Sequence, residues 1–213
     1  VLFSFHPTKR ALILSAAFLL ESKSVAEITS ELVLEHSGIS KGSLYHHFQE
    51  FEELMTYAQI FMFSTYVDST ISTVLALMDS VKSREDVLKN SKEVSRLTQS
   101  PSLSRMRNVR MESISKSISS EKLHLLLGQE QARLNQALAD LFRHLQDKGW
   151  GAMDLDPRVV AVFWQAYTLG KVVDDLSLTP TTEENWNQII DEMFEKIFFP
   201  KVQAPGPNAG GMG

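Results

Sequence analysis

The sequence predicts an all-α protein: a three-helix head joined by a long helix to a larger helical body. Three observations carry that expectation. No stretch of the 213 residues alternates apolar and polar side chains cleanly enough for a half-buried strand. Apolar residues instead recur three and four apart along most of the chain. Capping residues and Gly or Pro breaks then cut that pattern into helix-sized pieces, with no internal repeat.

The first helix is expected over 8–22, with Leu12, Ile13, Ala16, Ala17 and Leu20 as its inner stripe. Lys9-Arg10 before ALILSAAFLL imitates a secretory leader. That apolar run is only about half a membrane span. Charged Glu21 and Lys23 follow where small cleavage-site residues would stand, so the run reads as a buried helix. Thr29 caps a second helix over 30–37, which Gly38 closes with a left-handed residue. Ser40 caps a third helix over 41–48, in which Leu44 and Phe48 lie four apart and form one apolar face.

A long helix is expected over 52–78, with Leu54, Tyr57, Ala58, Phe61, Met62 and Thr65 inward. A polar helix over 82–98 carries a sparse stripe of Val87, Val94 and Leu97, and Ser100-Pro101-Ser102 breaks the chain. Residues 103–113 read as a short basic helix, the Ser-rich stretch 113–120 as a boundary, and 121–147 as a long helix ended by Gly149-Trp150-Gly151. Asp156-Pro157 opens a helix running to 176, with proline at its first position. A loop over 179–184 leads into a last helix over 183–199, stopped by Pro200. The final APGPNAGGMG, 204–213, reads as a disordered tail.

The third helix has an unusual outward face. Lys41, Gly42, Ser43, Tyr45, His46 and His47 offer donors, one aromatic ring and little bulk near the start. Such a face suits a helix whose N-terminus enters the DNA major groove. Together with RALILSAAFLL before it and FEEL after it, the segment GISKGSLYHHF resembles the DNA-binding head of the tetracycline-repressor-like (TetR) regulators. The resemblance covers about the first 57 residues. It implies a DNA-binding domain over 1–50, a ligand-binding and dimerising body over 51–203, and DNA contacts by Thr29, Ser40, Lys41, Gly42, Ser43, Tyr45, His46 and His47. By chemistry, Lys41 suits phosphate or a guanine edge, Ser43 a base or phosphate, and Tyr45 a thymine methyl or phosphate, while both histidines can donate to phosphate. Two departures stand out: Ser24 occupies a usual glycine position, and Phe51 a usual lysine position.

Charge gives no help to this reading. The formal net charge is −5, and residues 1–50 carry four Lys/Arg against five Asp/Glu. Phosphate binding would then rest on helix N-termini, hydroxyls and a few cations, with a correspondingly modest salt dependence. With no cysteine in the chain, disulfides and thiol chemistry are excluded, which is compatible with a cytoplasmic protein.

The last two helices are apolar over more of their circumference than one core requires. Val160, Phe163, Tyr167, Gly170, Ile190, Met193, Phe194 and Ile197 are therefore expected at a two-fold interface between copies of the chain. Phe61, Met62, Tyr66, Met106, Met111, Trp164 and Tyr167 are candidates to line an effector cavity, although each also suits an ordinary core. Residues 82–133 carry eleven Lys/Arg against six Asp/Glu, which makes an anionic effector conceivable and a solvated basic face the plainer reading.

No cofactor, metal or catalytic residue is expected. His46 and His47 are adjacent and do not share a helix face. Gly38 to Gly42 spells G-x-S-x-G, but a hydrolase elbow needs a strand before its serine. The expectation is a ligand-responsive transcriptional regulator, a repressor that binds a palindromic operator as a homodimer. The rival is a helical ligand-binding or protein-interaction module that does not act on DNA.

Overall fold

Side-chain caps and glycine stops set the course of the chain. The computed structural model describes residues 5–201, and among these every regular element is helical. The helices are α1 (Pro7–Leu20), α2 (Ser30–Ser37), α3 (Lys41–His47), α4 (Phe51–Ser80), α5 (Arg84–Gln99), α6 (Ser104–Ser117), α7 (Glu121–Asp147), α8 (Pro157–Gly170), α9 (Val172–Asp175) and α10 (Glu183–Met193). The tail expected over 204–213 lies outside the described residues.

The chain divides into two compact units. The first comprises residues 5–72 and 104–134, and the second 73–103 and 135–201. The core of the first unit is built where α1 meets α2, α3 and the start of α4. Leu12, Ile13, Ala16 and Leu20 are fully buried with Val33, Leu44, Leu54 and Ala58. The inner stripe read from the leader-like run is thus core. α4 is long and apolar enough to cross a membrane by length and composition. Within the first unit, however, its Leu54, Met55, Ala58, Ile60, Phe63 and Val67 are already covered by protein.

In the second unit an aromatic cluster replaces the aliphatic one. Phe142, Phe194, Phe198 and Phe199 are buried together, with Trp164 and Trp186 packed against them. The final helix departs from the regular form expected over 183–199. Phe194–Phe198 forms a wide π-turn in which the Phe199 N–H bonds to the Phe194 carbonyl at 2.8 Å. An ideal α-helix would turn Phe199 away from the face shared by Phe194 and Phe198. The wider i→i+5 turn brings all three inside. Arg84 then ties the chain end down, its Nε donating to the Phe199 carbonyl at 2.8 Å and to that of Pro200 at 3.2 Å.

The helix expected over 157–176 is also interrupted. α8 stops at Gly170, and α9 begins after Lys171. Lys171 is buried; its ammonium pairs with Asp174 and sits 5.2 Å from the Trp186 ring centroid. Asp174 also accepts from the Thr181 N–H at 2.9 Å and the Thr181 hydroxyl at 2.8 Å. The Lys171 partner first, then these two Thr181 bonds, hold the Asp174 carboxyl down at about 2.

A buried polar chain laces α5 to α8 and α10. Trp186 Nε1 donates to Gln99 Oε1, Gln99 Nε2 to Ser95 Oγ at 2.9 Å, and the Tyr167 hydroxyl to Ser95 Oγ at 3.3 Å. Burial pushes the Tyr167 phenol up to about 12. Ionisation is therefore easier in the unfolded chain, at about pH 10. The stability tied to neutral Tyr167 is whole below that pH and is lost as pH rises toward about 12. Urea melts across this range should show stability falling with pH, and Tyr167→Phe should flatten the fall; an identical slope in the variant contradicts the assignment. In the same core, Phe194→Ala should cost about 3–5 kcal/mol in those melts.

Candidate nucleic-acid interface

The turn that presents α3 is built from two local devices. Gly38 adopts φ +67°, and its N–H bonds to the Leu34 carbonyl at 3.0 Å, ending α2. Two residues on, Ser40 Oγ accepts from the Ser43 N–H at 3.3 Å and starts α3. α2 is capped the same way, with Thr29 Oγ1 accepting from the Leu32 N–H at 3.3 Å. A helix, not a strand, precedes Ser40, so the G-x-S-x-G spelling serves as a turn and a cap.

Leu44 and Phe48 are buried on the α1 side, and Ile39 packs beside them. This fixes the rotation of α3. Lys41, Gly42, Tyr45 and His46 are exposed, as are Thr29 and Ser40, whereas Ser43 and His47 are half-buried. A Cβ added to Gly42 would meet nothing within 4 Å, so packing does not demand glycine there.

A ring cage braces the far end of α3. The Lys9 ammonium lies 5.2, 4.7 and 4.8 Å from the ring centroids of Phe5, Phe48 and Tyr57. His6 caps α1, its Nδ1 accepting from the Thr8 N–H at 3.3 Å, and stacks on His47 with centroids 5.1 Å apart. Burial, and then the neighbouring His46, His6 and Lys9, push the His47 imidazole below its ordinary range. Sequence reasoning missed His6 and Lys9 because their partners lie far along the chain; His6-Pro7 ahead of a helical run was the available signal. The two departures from the TetR pattern also find local roles. Ser24 forms a capping box with Glu27, whose Oε2 accepts from the Ser24 N–H at 2.7 Å. Phe51 packs against the head core.

No protein-family profile matches the sequence, and no curated protein matches it. Solved structures do match. A TetR transcription regulator from Haloarcula marismortui superposes with a TM-score of 0.66 at 18% identity, covering 91% of this chain and 100% of that one. Reduced NemR from Escherichia coli gives 0.61 at 15% identity, covering 92% and 100%. A protein from Saccharomonospora viridis solved in complex with choline gives 0.68 at 16% identity, covering 91% and 98%. The chain has the TetR-regulator fold.

Within this fold the interface candidates separate into two groups. Val160, Ile190 and Phe194 are buried in the core of the second unit, which corrects the expectation that they face a partner. The expectation failed because both α8 and α10 are apolar nearly all round, and sequence alone does not say which side faces home. Phe163, Gly170 and Ile197 are exposed, and Tyr167 and Met193 are half-buried. Beside them Val159, Val162 and Ile189 are 65%, 51% and 68% exposed, leaving an unburied apolar stripe on α8 and α10.

The effector candidates are scattered across the TetR fold. Phe61 and Met62 pack against the head core, while Met106 and Met111 are 49% and 41% exposed. On α6 the buried side chains are those of Arg107 and Ser113. Trp164 packs on Phe194 with centroids 5.0 Å apart, and Tyr167 is held by Ser95. Tyr66 accepts a hydrogen bond from Arg110 Nη1 at 3.0 Å. Burial lowers the Arg110 guanidinium from its ordinary range, with Tyr66 opposing the shift.

A histidine titration tests the electrostatics of the head. The His47 midpoint, followed by NMR, should fall below the ordinary imidazole value of about 6.5. The stability tied to neutral His47 is then present above that value and lost as pH falls through its folded midpoint. A His47 midpoint at or above the ordinary value contradicts the packing described.

Proposed function

We propose that the chain is a ligand-responsive transcriptional regulator, a non-enzymatic cytoplasmic repressor that binds a palindromic operator as a homodimer. Residues 1–50 form the DNA-binding domain and 51–203 the ligand-binding and dimerising body. The observation that carries this reading is the outward face of α3. Lys41, Gly42 and Tyr45 stand free of the core while Leu44 and Phe48 anchor the opposite side. The α3 N-terminus, Thr29 and Ser43 meet phosphate, and Lys41 and Tyr45 reach base edges or the backbone. His46 and His47 add donors at the C-terminal end of the helix. Support also comes from the fold likeness and from the choline found in the Saccharomonospora viridis protein, which makes a small-molecule effector a reasonable expectation.

The exposed apolar stripe of Val159, Val162, Phe163, Ile189 and Ile197 supports self-association. Two copies related by a two-fold axis would hold two α3 helices at fixed spacing, which is what a palindrome requires. An effector need change the balance between two head spacings by only about 1–3 kcal/mol.

A second reading, a helical module that does not act on DNA, is favoured by the near-neutral head and by Phe51 in place of lysine. Footprinting on the DNA upstream of the chain's own gene separates the two. The regulator reading predicts a symmetric protected site, lost in Lys41→Ala and Tyr45→Ala with the melting temperature retained. Gly42→Ala should raise stability by about 0.5–1 kcal/mol through helix propensity, yet weaken the footprint by crowding the DNA. No protection, or protection indifferent to all three variants, supports the rival.

A further inference from the structure

We propose that His6 is a positioning residue for the end of α3, and that the row of imidazoles it forms with His47 and His46 couples DNA binding to proton uptake, so that affinity rises as pH falls. The proposal deepens the regulator reading and rests on it.

The row crosses from the start of α1 to the end of α3. His6 stacks on His47 with ring centroids 5.1 Å apart and planes at 29°, and His46 meets the His47 ring edge-on, also at 5.1 Å. The α1 cap sets the charge state of the first ring. His6 Nδ1 accepts from the Thr8 N–H at 3.3 Å, and a protonated imidazole has no acceptor nitrogen to offer. The positive end of α1 opposes a charge at the same place. His6 therefore lies against His47 as a neutral ring.

The charged surroundings leave a proton on His47 without a counter-charge. On α1 the neighbouring groups are Lys9, caged by Phe5, Phe48 and Tyr57, and Arg10. On α3 they are His46 and, at the far end, Lys41. On α4, Tyr57 faces the Lys9 ammonium, and Glu53 accepts from the Gln49 N–H at 3.1 Å and pairs with Lys122 of α7 at 3.4 Å. Glu50 is exposed. Among the described residues no carboxylate is bonded to any of the three rings. Burial first, then His46, His6 and Lys9, hold the His47 midpoint below its ordinary range in the free head. A DNA phosphate beside α3 supplies the missing negative charge and raises that midpoint. Between the two midpoints, one proton taken up on binding tightens the complex by about tenfold for each pH unit lost.

The test measures fluorescence anisotropy of the full chain on the duplex upstream of its own gene, and on an unrelated duplex at low salt, at constant ionic strength. From about pH 8 to about pH 6 affinity should rise roughly tenfold. Calorimetry in buffers of different ionisation enthalpy should count about one proton taken up by the unaltered chain. His47→Gln should remove the rise with the melting temperature retained. His6→Asn keeps a capping side chain; it should raise the His47 midpoint in the free head and narrow the pH range of the rise. His144→Gln, on α7 in the second unit, should leave the profile unchanged. A merely structural His6 would lower affinity equally at every pH. The proposal is overturned by that result, by a flat pH profile, by no proton uptake, or by a rise that survives in His47→Gln. Binding that ignores pH removes this proposal alone; no binding to either duplex at any pH removes the regulator reading and this proposal with it.

Discussion

Leu44 and Phe48, drawn into the core beneath α1, decide what the head shows to solvent. Both are buried, and each contributes about 1.5–3 kcal/mol as apolar burial. α3 is only two turns long and would not persist alone in water. Its order therefore comes from this anchor, from the Ser40 cap and from the Gly38 stop. Once the anchor fixes its rotation, Lys41, Gly42, Tyr45 and His46 have no side to face but outward. The Lys9 cage extends the constraint to α4, because the rings that surround the ammonium come from the chain before α1, from Phe48 and from Tyr57.

Much of this was legible in the sequence because it is local. Thr29, Gly38 and Ser40 act within four residues of themselves, and α2 begins and ends where they place it. α7 likewise spans the expected residues, with Ser120 bonding the Leu123 N–H at its start and Gly149 at φ +72° after its end. The all-helical class follows from the same short-range pattern.

What was not legible depends on partners distant in sequence. The π-turn at Phe194–Phe198 exists because three phenylalanines share one cluster with Phe142 and Trp164, and no property of FEKIFF alone demands it. The stop at Gly170 depends on Lys171 meeting both Asp174 and Trp186. Met106 and Met111 were candidates by residue type alone, and both are exposed on α6. Arg110 and Gln59 went the other way. Their residue types suggest surface, and packing put them inside.

The account stands on α3 being ordered before any partner arrives, and amide hydrogen exchange in the unliganded protein reads that order directly. The Leu44 and Phe48 amides, bonded to the Ser40 carbonyl at 3.1 Å and the Leu44 carbonyl at 3.0 Å, should exchange slowly. In Leu44→Ala the protection should vanish across α3 while that of α10 persists. Exchange of the α3 amides at unfolded-chain rates in the unaltered protein would contradict the account.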